Sequence, residues 1–173
     1  MVYLVRHGQT DWNLFRRANG ITDTFLNTTG IEQAKHLAEE LKDVSFDVCF
    51  CSPQTRARQF CEIIHKGHVI FDERLTEIVC GDFEGMEETP EMMKAAFQAF
   101  QTGDKGTERM DLFINRNCDF CDSVMDEYKG KNILIVTHAY NTRVINYCFK
   151  GKPKHYDFLE RVVENGKAIM FEN

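Results

Sequence analysis

The chain has 173 residues, a mass of 20.1 kDa, 43% hydrophobic and 28% charged residues, and a formal net charge of −6. This length suits one folded domain, 1–173, and the composition excludes a disordered, collagen-like or coiled-coil chain. An acidic balance is poorly suited to gripping a polyanionic backbone, so no nucleic-acid partner is expected.

Residues 2–5 are an apolar run ending in Arg6, His7 and Gly8, the pattern of a buried strand running into a polar loop. Thr29 precedes Glu32 by three positions, a capping-box spacing, and Ile31, Ala34, Leu37, Ala38 and Leu41 share one helical face. A second strand is predicted at 46–51, and Ser52 with Pro53 reads as an N-cap and first turn of the next helix. Short strands at 68–71 and 133–136 follow, the latter leading into a helix that carries Val144, Ile145 and Phe149. Between them, about 85–128 lacks a strand pattern but holds helical stretches at 90–101 and 110–128, which reads as an inserted cap. Strands are predicted at 158–163 and 167–171 around Asn165 and Gly166, a favoured hairpin-turn pair. The predicted fold is α/β: a three-layer α/β/α sandwich with a mostly parallel central sheet, a small helical cap insertion and a C-terminal β-hairpin.

No apolar run approaches the roughly 18 residues of a membrane span, and the opening MVYLV reaches Arg6 too early for a secretory signal. The expectation is a cytoplasmic protein with no membrane partner. The seven cysteines suit free thiols in a reducing compartment. Cys118 and Cys121 form a lone CxxC, but with Ile114, Met125 and Tyr128 they recur at helical spacing, which favours core packing over a metal or redox role. Phe97, Phe100, Phe113 and Phe120 read as core of the cap. The cap segment carries ten acidic and four basic residues, so the rest of the chain is neutral.

Ligands of parallel α/β sheets bind beyond the carboxyl ends of the strands. Arg6 and His7 follow the first predicted strand, Ser52, Arg56 and Arg58 the second, Glu77 the short third and His138 the strand at 133–136. Two histidines, two or three arginines and a carboxylate at one sheet edge describe an anion site with acid–base work attached. Arg56 falls in the first turn of its helix, where the macrodipole disfavours a cation by about 0.3–1 kcal/mol and a bound anion would offset that cost. Taken singly, Arg56 and Arg58 suit a solvated helix start equally well, and His7 suits an ordinary strand-end histidine; the grouping favours the anion site.

The string VRHGQTDWN resembles the signature of the histidine phosphatase superfamily, the phosphoglycerate mutase-like family, continued at set intervals by Asn13, Arg17, Gly20, Asp23, Leu26, Gly30, Gln33 and Ala34. SPQTRARQ resembles the family's SPxxRAxQT element with Phe60 in place of the final Thr. LTEIVCGDFEG resembles LxExxxGxxEG, and VTHAYNTR resembles VSHGGxxR, so the resemblance covers about residues 1–150. It implies that His7 is a nucleophile forming a transient phosphohistidine, with Arg6, Arg56, His138 and the backbone N–H of Ala139 around the phosphoryl oxygens. It implies Glu77 as general acid and base, and Asn13, Asn19 and Gly20 as substrate-facing positions. Asp82 and Glu84 are alternative carboxylates near Glu77, but Glu77 holds the motif position. The resemblance calls for no metal and no other cofactor.

Two departures stand out: Ala139 where the family commonly has Gly, and Arg109 where its GxES element has Ser. The expected activity is a metal-independent phosphomonoesterase acting on a small phosphorylated metabolite. A phosphoglycerate mutase-type phosphotransferase is the alternative, disfavoured if the acidic cap faces inward. A non-catalytic phospholigand-binding module would be expected to lack His7 or Glu77, and a protein phosphohistidine phosphatase is a further reading. Oligomeric state is not legible.

Overall fold

The computed structural model describes residues 1–153 and 163–172. Strands β1 (Val2–Arg6), β2 (Val48–Cys51), β3 (Ile70–Phe71), β4 (Ile133–Thr137) and β5 (Ala168–Phe171) form one sheet in the order β3-β2-β4-β1-β5. All neighbours are parallel except β5, which runs antiparallel to β1. The helices are α1 (Asp11–Leu14), α2 (Thr28–Glu40), α3 (Thr55–Ile64), α4 (Pro90–Thr102), α5 (Met110–Glu127) and α6 (Ala139–Phe149).

The continuous apolar run of β4 is buried on both faces, as a central parallel strand requires. Leu134 and Val136 pack with Ala34 and Leu37 of α2 and Phe60 of α3. Ile133 and Ile135, pointing the other way, pack with Phe120 and Val124 of α5 and Ile145 of α6. This is the predicted three-layer sandwich. A third cluster joins Ile78 and Phe83 to Met92, Ala96 and Phe100 of α4 and to Phe113 of α5.

Several local boundaries differ from the sequence reading. Helix α2 is capped by Asn27, whose side chain accepts from the Gly30 amide at 2.9 Å, so Thr29 lies inside the helix rather than capping it. Asn27 is held there by its own amide, which donates to the Gln9 carbonyl. Ile31 does not join the buried face; it is 38% exposed. Helix α3 starts at Thr55, not at Pro53, because Asp23 reaches across from the preceding loop and accepts from both the amide and the hydroxyl of Thr55. Strand β2 is shorter than 46–51, with Phe46 packed edge-on against Tyr3, and β3 shrinks to two residues.

Helix α5 is not confined to an inserted layer: Phe113 lies in the third cluster, whereas Phe120, Cys121 and Val124 pack on the sheet. Phe97, expected in the core, is exposed. Cys121 is buried and Cys118 half-buried, and among the described residues no group of three or more His, Cys, Asp or Glu is placed to hold a metal ion. Eight of the ten acidic residues between 85 and 128 are exposed, so most of that charge is a solvated outer face. Of the predicted C-terminal hairpin, the second arm is β5; the first arm falls almost wholly outside the described residues. The turn between them is present, with Gly166 at φ +72°, a conformation that favours glycine. Among the described residues no helix is long and apolar enough to cross a membrane.

Candidate active site

The strand order places the ends of β1, β2 and β4 side by side, and with them the residues that follow. His7, next after β1, donates its amide to the Thr137 carbonyl at 3.0 Å. Its ring Nδ1 lies 2.7 Å from the Gly8 carbonyl oxygen, an acceptor only, so Nδ1 carries the proton and Nε2 keeps its lone pair. Gly8 must be glycine, since a Cβ there would stand 2.5 Å from the Gly30 carbonyl oxygen. His138, next after β4, meets His7 edge to face with ring centroids 5.1 Å apart, and its Nε2 lies 2.7 Å from the Ser52 hydroxyl at the end of β2.

Arg56, only 1% exposed, lies under the loop that follows α1. Its Nη1 donates to the Thr22 carbonyl at 3.1 Å and Nη2 to the Gly20 carbonyl at 2.7 Å. Arg6 donates from Nη1 to the Val163 carbonyl at 2.9 Å. Among the described residues, three nitrogens in this cluster, Arg6 Nε, Arg56 Nε and His138 Nδ1, are buried without a hydrogen-bond partner, as is one acceptor, Asn19 Oδ1. Buried donors are normally satisfied, so three together mark a place built for an acceptor that arrives from outside.

Glu77 is buried in the same cleft. Its Oε1 accepts from the Ile78 amide at 3.0 Å and Oε2 from the Tyr140 amide at 3.2 Å. Burial raises its pKa above the usual carboxylate value, against the opposing pull of those two amides and of Arg56 and Arg6. Burial, helped by the Arg56 charge, holds both His7 and His138 well below the ordinary histidine value, so both rings are neutral near pH 7. Burial also pushes Arg56 down to about 10, still charged near neutrality.

Arg6, His7, Asn13, Asn19, Arg56, Glu77 and Ala139 all face one cleft. Two predicted positions sit behind it. His138 is fully buried and touches the cleft through the His7 ring, and Gly20 holds Arg56 from the rear, packed against Ile78 and Cys80 so closely that a Cβ would meet the Ile78 carbonyl oxygen at 2.4 Å. Asn13 is engaged structurally as well: its Oδ1 accepts from the amide and hydroxyl of Thr10 and from Asn165, leaving its NH2 as the donor end. Glu84 accepts from the Gly20 and Ile21 amides, and Asp82 is exposed. Arg58 stacks over Phe71 outside the cleft.

The sequence reading missed three supports. Ser52 was read as a helix cap at the strand edge, with no sign that it holds His138. Gln54 ties the site together by donating to the Gly20 carbonyl and accepting from the Glu77 amide. The turn at Asn165 and Gly166 braces β1: Asn165 Nδ2 and the Gly166 amide both donate to the His7 carbonyl. The Asn-Gly signal for that turn was present in the sequence, but nothing local says which strand end it touches. Also unforeseen is the outer wall of the cleft, formed by Ala18, Ile78, Met92, Met93, Phe100 and Tyr140, with Arg17 and Glu88 at its polar side.

Fold and site together define an α/β protein whose cleft gathers two arginines and a buried carboxylate round a neutral, oriented histidine. Residues 2–167 match the histidine phosphatase superfamily (branch 1), and the chain belongs to that superfamily of enzymes. It is 37% identical over 145 residues to the uncharacterized phosphatase PhoE of Bacillus subtilis (strain 168), covering 80% of this chain and 71% of the relative. It is 30% identical over 157 residues to metal-independent phosphoserine phosphatase of Arabidopsis thaliana, covering 83% of this chain and 66% of the relative. Among solved structures it resembles a putative alpha-ribazole-5'-P phosphatase from Escherichia coli K-12 MG1655, with a TM-score of 0.83 and 26% identity, covering 96% of this chain and 87% of that one.

Proposed function

We propose that the protein is a phosphomonoesterase for small phosphorylated metabolites, working through a phosphohistidine at His7. The observation that carries this reading is the pairing of an oriented, neutral His7 with three buried, unpartnered donors on Arg6, Arg56 and His138. A phosphoryl group seated there takes those donors on its oxygens, where they are worth most as charge shifts in the transition state.

In the first step His7 Nε2 forms a bond to phosphorus, the bond to the ester oxygen breaks, and the protonated Glu77 gives its proton to the departing alkoxide. In the second step the Glu77 carboxylate takes a proton from water, whose oxygen bonds to phosphorus as the P–N bond breaks. Phosphate and an alcohol are the products, and Glu77 is protonated again. The raised Glu77 pKa favours the acid form that the first step needs. Asn13 and the Ala139 amide are substrate-facing donors in this reading, Asn19 gives its Nδ2 to the Thr24 hydroxyl at 2.8 Å and lines the cleft beside them, and no step is assigned to a metal ion.

A mutase has to keep a doubly anionic substrate while its phosphoryl group moves, and Glu88 at the cleft opposes that. Seven free cysteines, five of them buried, support a reducing compartment such as the cytoplasm. The test is phosphate release from a panel of phosphorylated metabolites in EDTA, native chain against His7→Ala. Release that vanishes in the variant supports the reading; release that persists, or none from any ester, contradicts it.

A further inference from the structure

Beyond the phosphoryl pocket the cleft changes character. Ala18, Ile78, Met92, Met93, Phe100 and Tyr140 make an apolar wall, with Phe100 and Tyr140 edge to face at 6.1 Å. Among the described residues, the charged groups that face this outer half are one cation, Arg17, and one anion, Glu88. Arg17 already donates from Nη1 to the Gly85 carbonyl at 2.8 Å. Arg143 is not among the cleft-facing residues; its guanidinium lies over the Tyr140 ring, 4.7 Å from the centroid. Arg6 and Arg56, the remaining cleft arginines, belong to the phosphoryl end.

A second anionic group on the substrate would therefore enter a wall that gives it little polar contact and would meet Glu88. An apolar group would instead bury itself against methionine and aromatic carbon, gaining about fourfold in affinity per methylene buried. Methionines adapt their shape to varied apolar groups, which suits both flat and chain-like ones.

We propose that the preferred substrates are monoesters of uncharged, apolar alcohols, medium-chain alkyl or aryl, and that Glu88 acts as the determinant excluding esters that carry a carboxylate. This deepens the phosphomonoesterase reading and rests on it.

Hexyl phosphate, O-phosphoserine and 3-phosphoglycerate are all alkyl esters, so comparing kcat/KM among them reads binding of the alcohol portion more than leaving-group chemistry. Para-nitrophenyl phosphate, with its good leaving group, serves as the report on basal phosphatase chemistry. The expected result is a kcat/KM for hexyl phosphate at least about tenfold above the two carboxylate esters. Glu88→Gln is expected to raise the ratio of 3-phosphoglycerate to hexyl phosphate about three- to tenfold, and Met93→Ser to lower the hexyl phosphate value relative to methyl phosphate, which has no chain to bury, about threefold or more.

If para-nitrophenyl phosphate is hydrolysed in a His7-dependent way but the carboxylate esters equal or surpass hexyl phosphate, the substrate-class inference falls and the phosphatase reading stands. If hexyl phosphate is preferred but Glu88→Gln leaves the ratio unmoved, the role given to Glu88 is wrong. If His7-dependent hydrolysis of para-nitrophenyl phosphate is absent, the phosphatase reading falls and this inference with it.

Discussion

The Nε2 of His138 and the hydroxyl oxygen of Ser52 lie 2.7 Å apart, although 86 positions separate them in the chain. The Ser52 oxygen also accepts from the Gln54 amide at 3.3 Å, so its own proton is free to go to His138 Nε2. In the proposed mechanism Ser52 gives that proton to Nε2, the remaining His138 proton sits on Nδ1, the buried nitrogen without a partner among the described residues, and Nδ1 donates to a phosphoryl oxygen.

Ser52→Ala removes this tautomer lock. The expected outcome is a fall in kcat of about ten- to a hundredfold, with a stability loss of about 1–3 kcal/mol from the unpaired ring nitrogen. Steady-state kinetics and urea unfolding read the two effects separately. An unchanged kcat would place His138 outside the phosphoryl contacts.

Glu77→Gln should slow alkyl phosphates by two or more orders of magnitude while sparing esters of good leaving groups in the first step. The ratio of kcat/KM for an alkyl ester to that for an aryl ester should also fall as pH rises through the elevated Glu77 pKa, because the acid is lost there. In Glu77→Gln that pH dependence should be flat. Equal slowing of both ester classes would assign Glu77 to structure rather than proton transfer.

His7 and His138 remain neutral in the folded chain well below the pH at which free histidine protonates. Between their lowered values and about pH 6.5 the unfolded chain binds more protons, so stability falls as pH falls, by up to about 1.4 kcal/mol per pH unit for each histidine. Glu77, whose folded value is raised, works in the opposite sense: its penalty is absent below the ordinary carboxylate range and grows as pH rises from there toward the elevated value. Two histidines outweigh one carboxylate where the windows overlap. Urea stability is expected to drop from pH 7 to 5.5, and less steeply in His138→Gln; a flat profile would contradict buried neutral rings.

Asn165 spans from the His7 carbonyl to Asn13 Oδ1, at 3.0 and 3.3 Å. Asn165→Ala is predicted to cost about 0.5–1.5 kcal/mol in unfolding and to lower kcat about tenfold through displacement of the nucleophile. Kinetic parity with the native chain would show that the Gly166 amide and the Thr137 and Gly8 carbonyls position His7 without Asn165.

The gathering of Arg6, His7, Arg56, Glu77 and His138 at one place was legible because parallel strands deliver their following residues to one edge, and all five sit at, just beyond or near strand ends. Its supports were not. Ser52 and Asp23 each act across tens of positions, so a local reading gave Ser52 the cap that Asp23 in fact provides to α3. Gly20 matched a substrate-facing position, yet its carbonyl serves Arg56 from behind. Met92 and Phe100 have the helical spacing of core residues whether they face a core or a cleft, and they do both. Helix α5 read as cap because its apolar spacing is continuous, with nothing in the pattern to mark where it leaves one cluster and joins the sheet.

The most direct test is to trap the intermediate. The native chain is mixed briefly with para-nitrophenyl phosphate in EDTA, quenched in alkali, where phosphohistidine survives, and its peptides are weighed by mass spectrometry. The account predicts one phosphoryl group on the peptide holding His7, absent in His7→Ala and longer-lived in Glu77→Gln. Turnover in the native chain with the phosphoryl group on another residue, or undiminished turnover in His7→Ala, would contradict it.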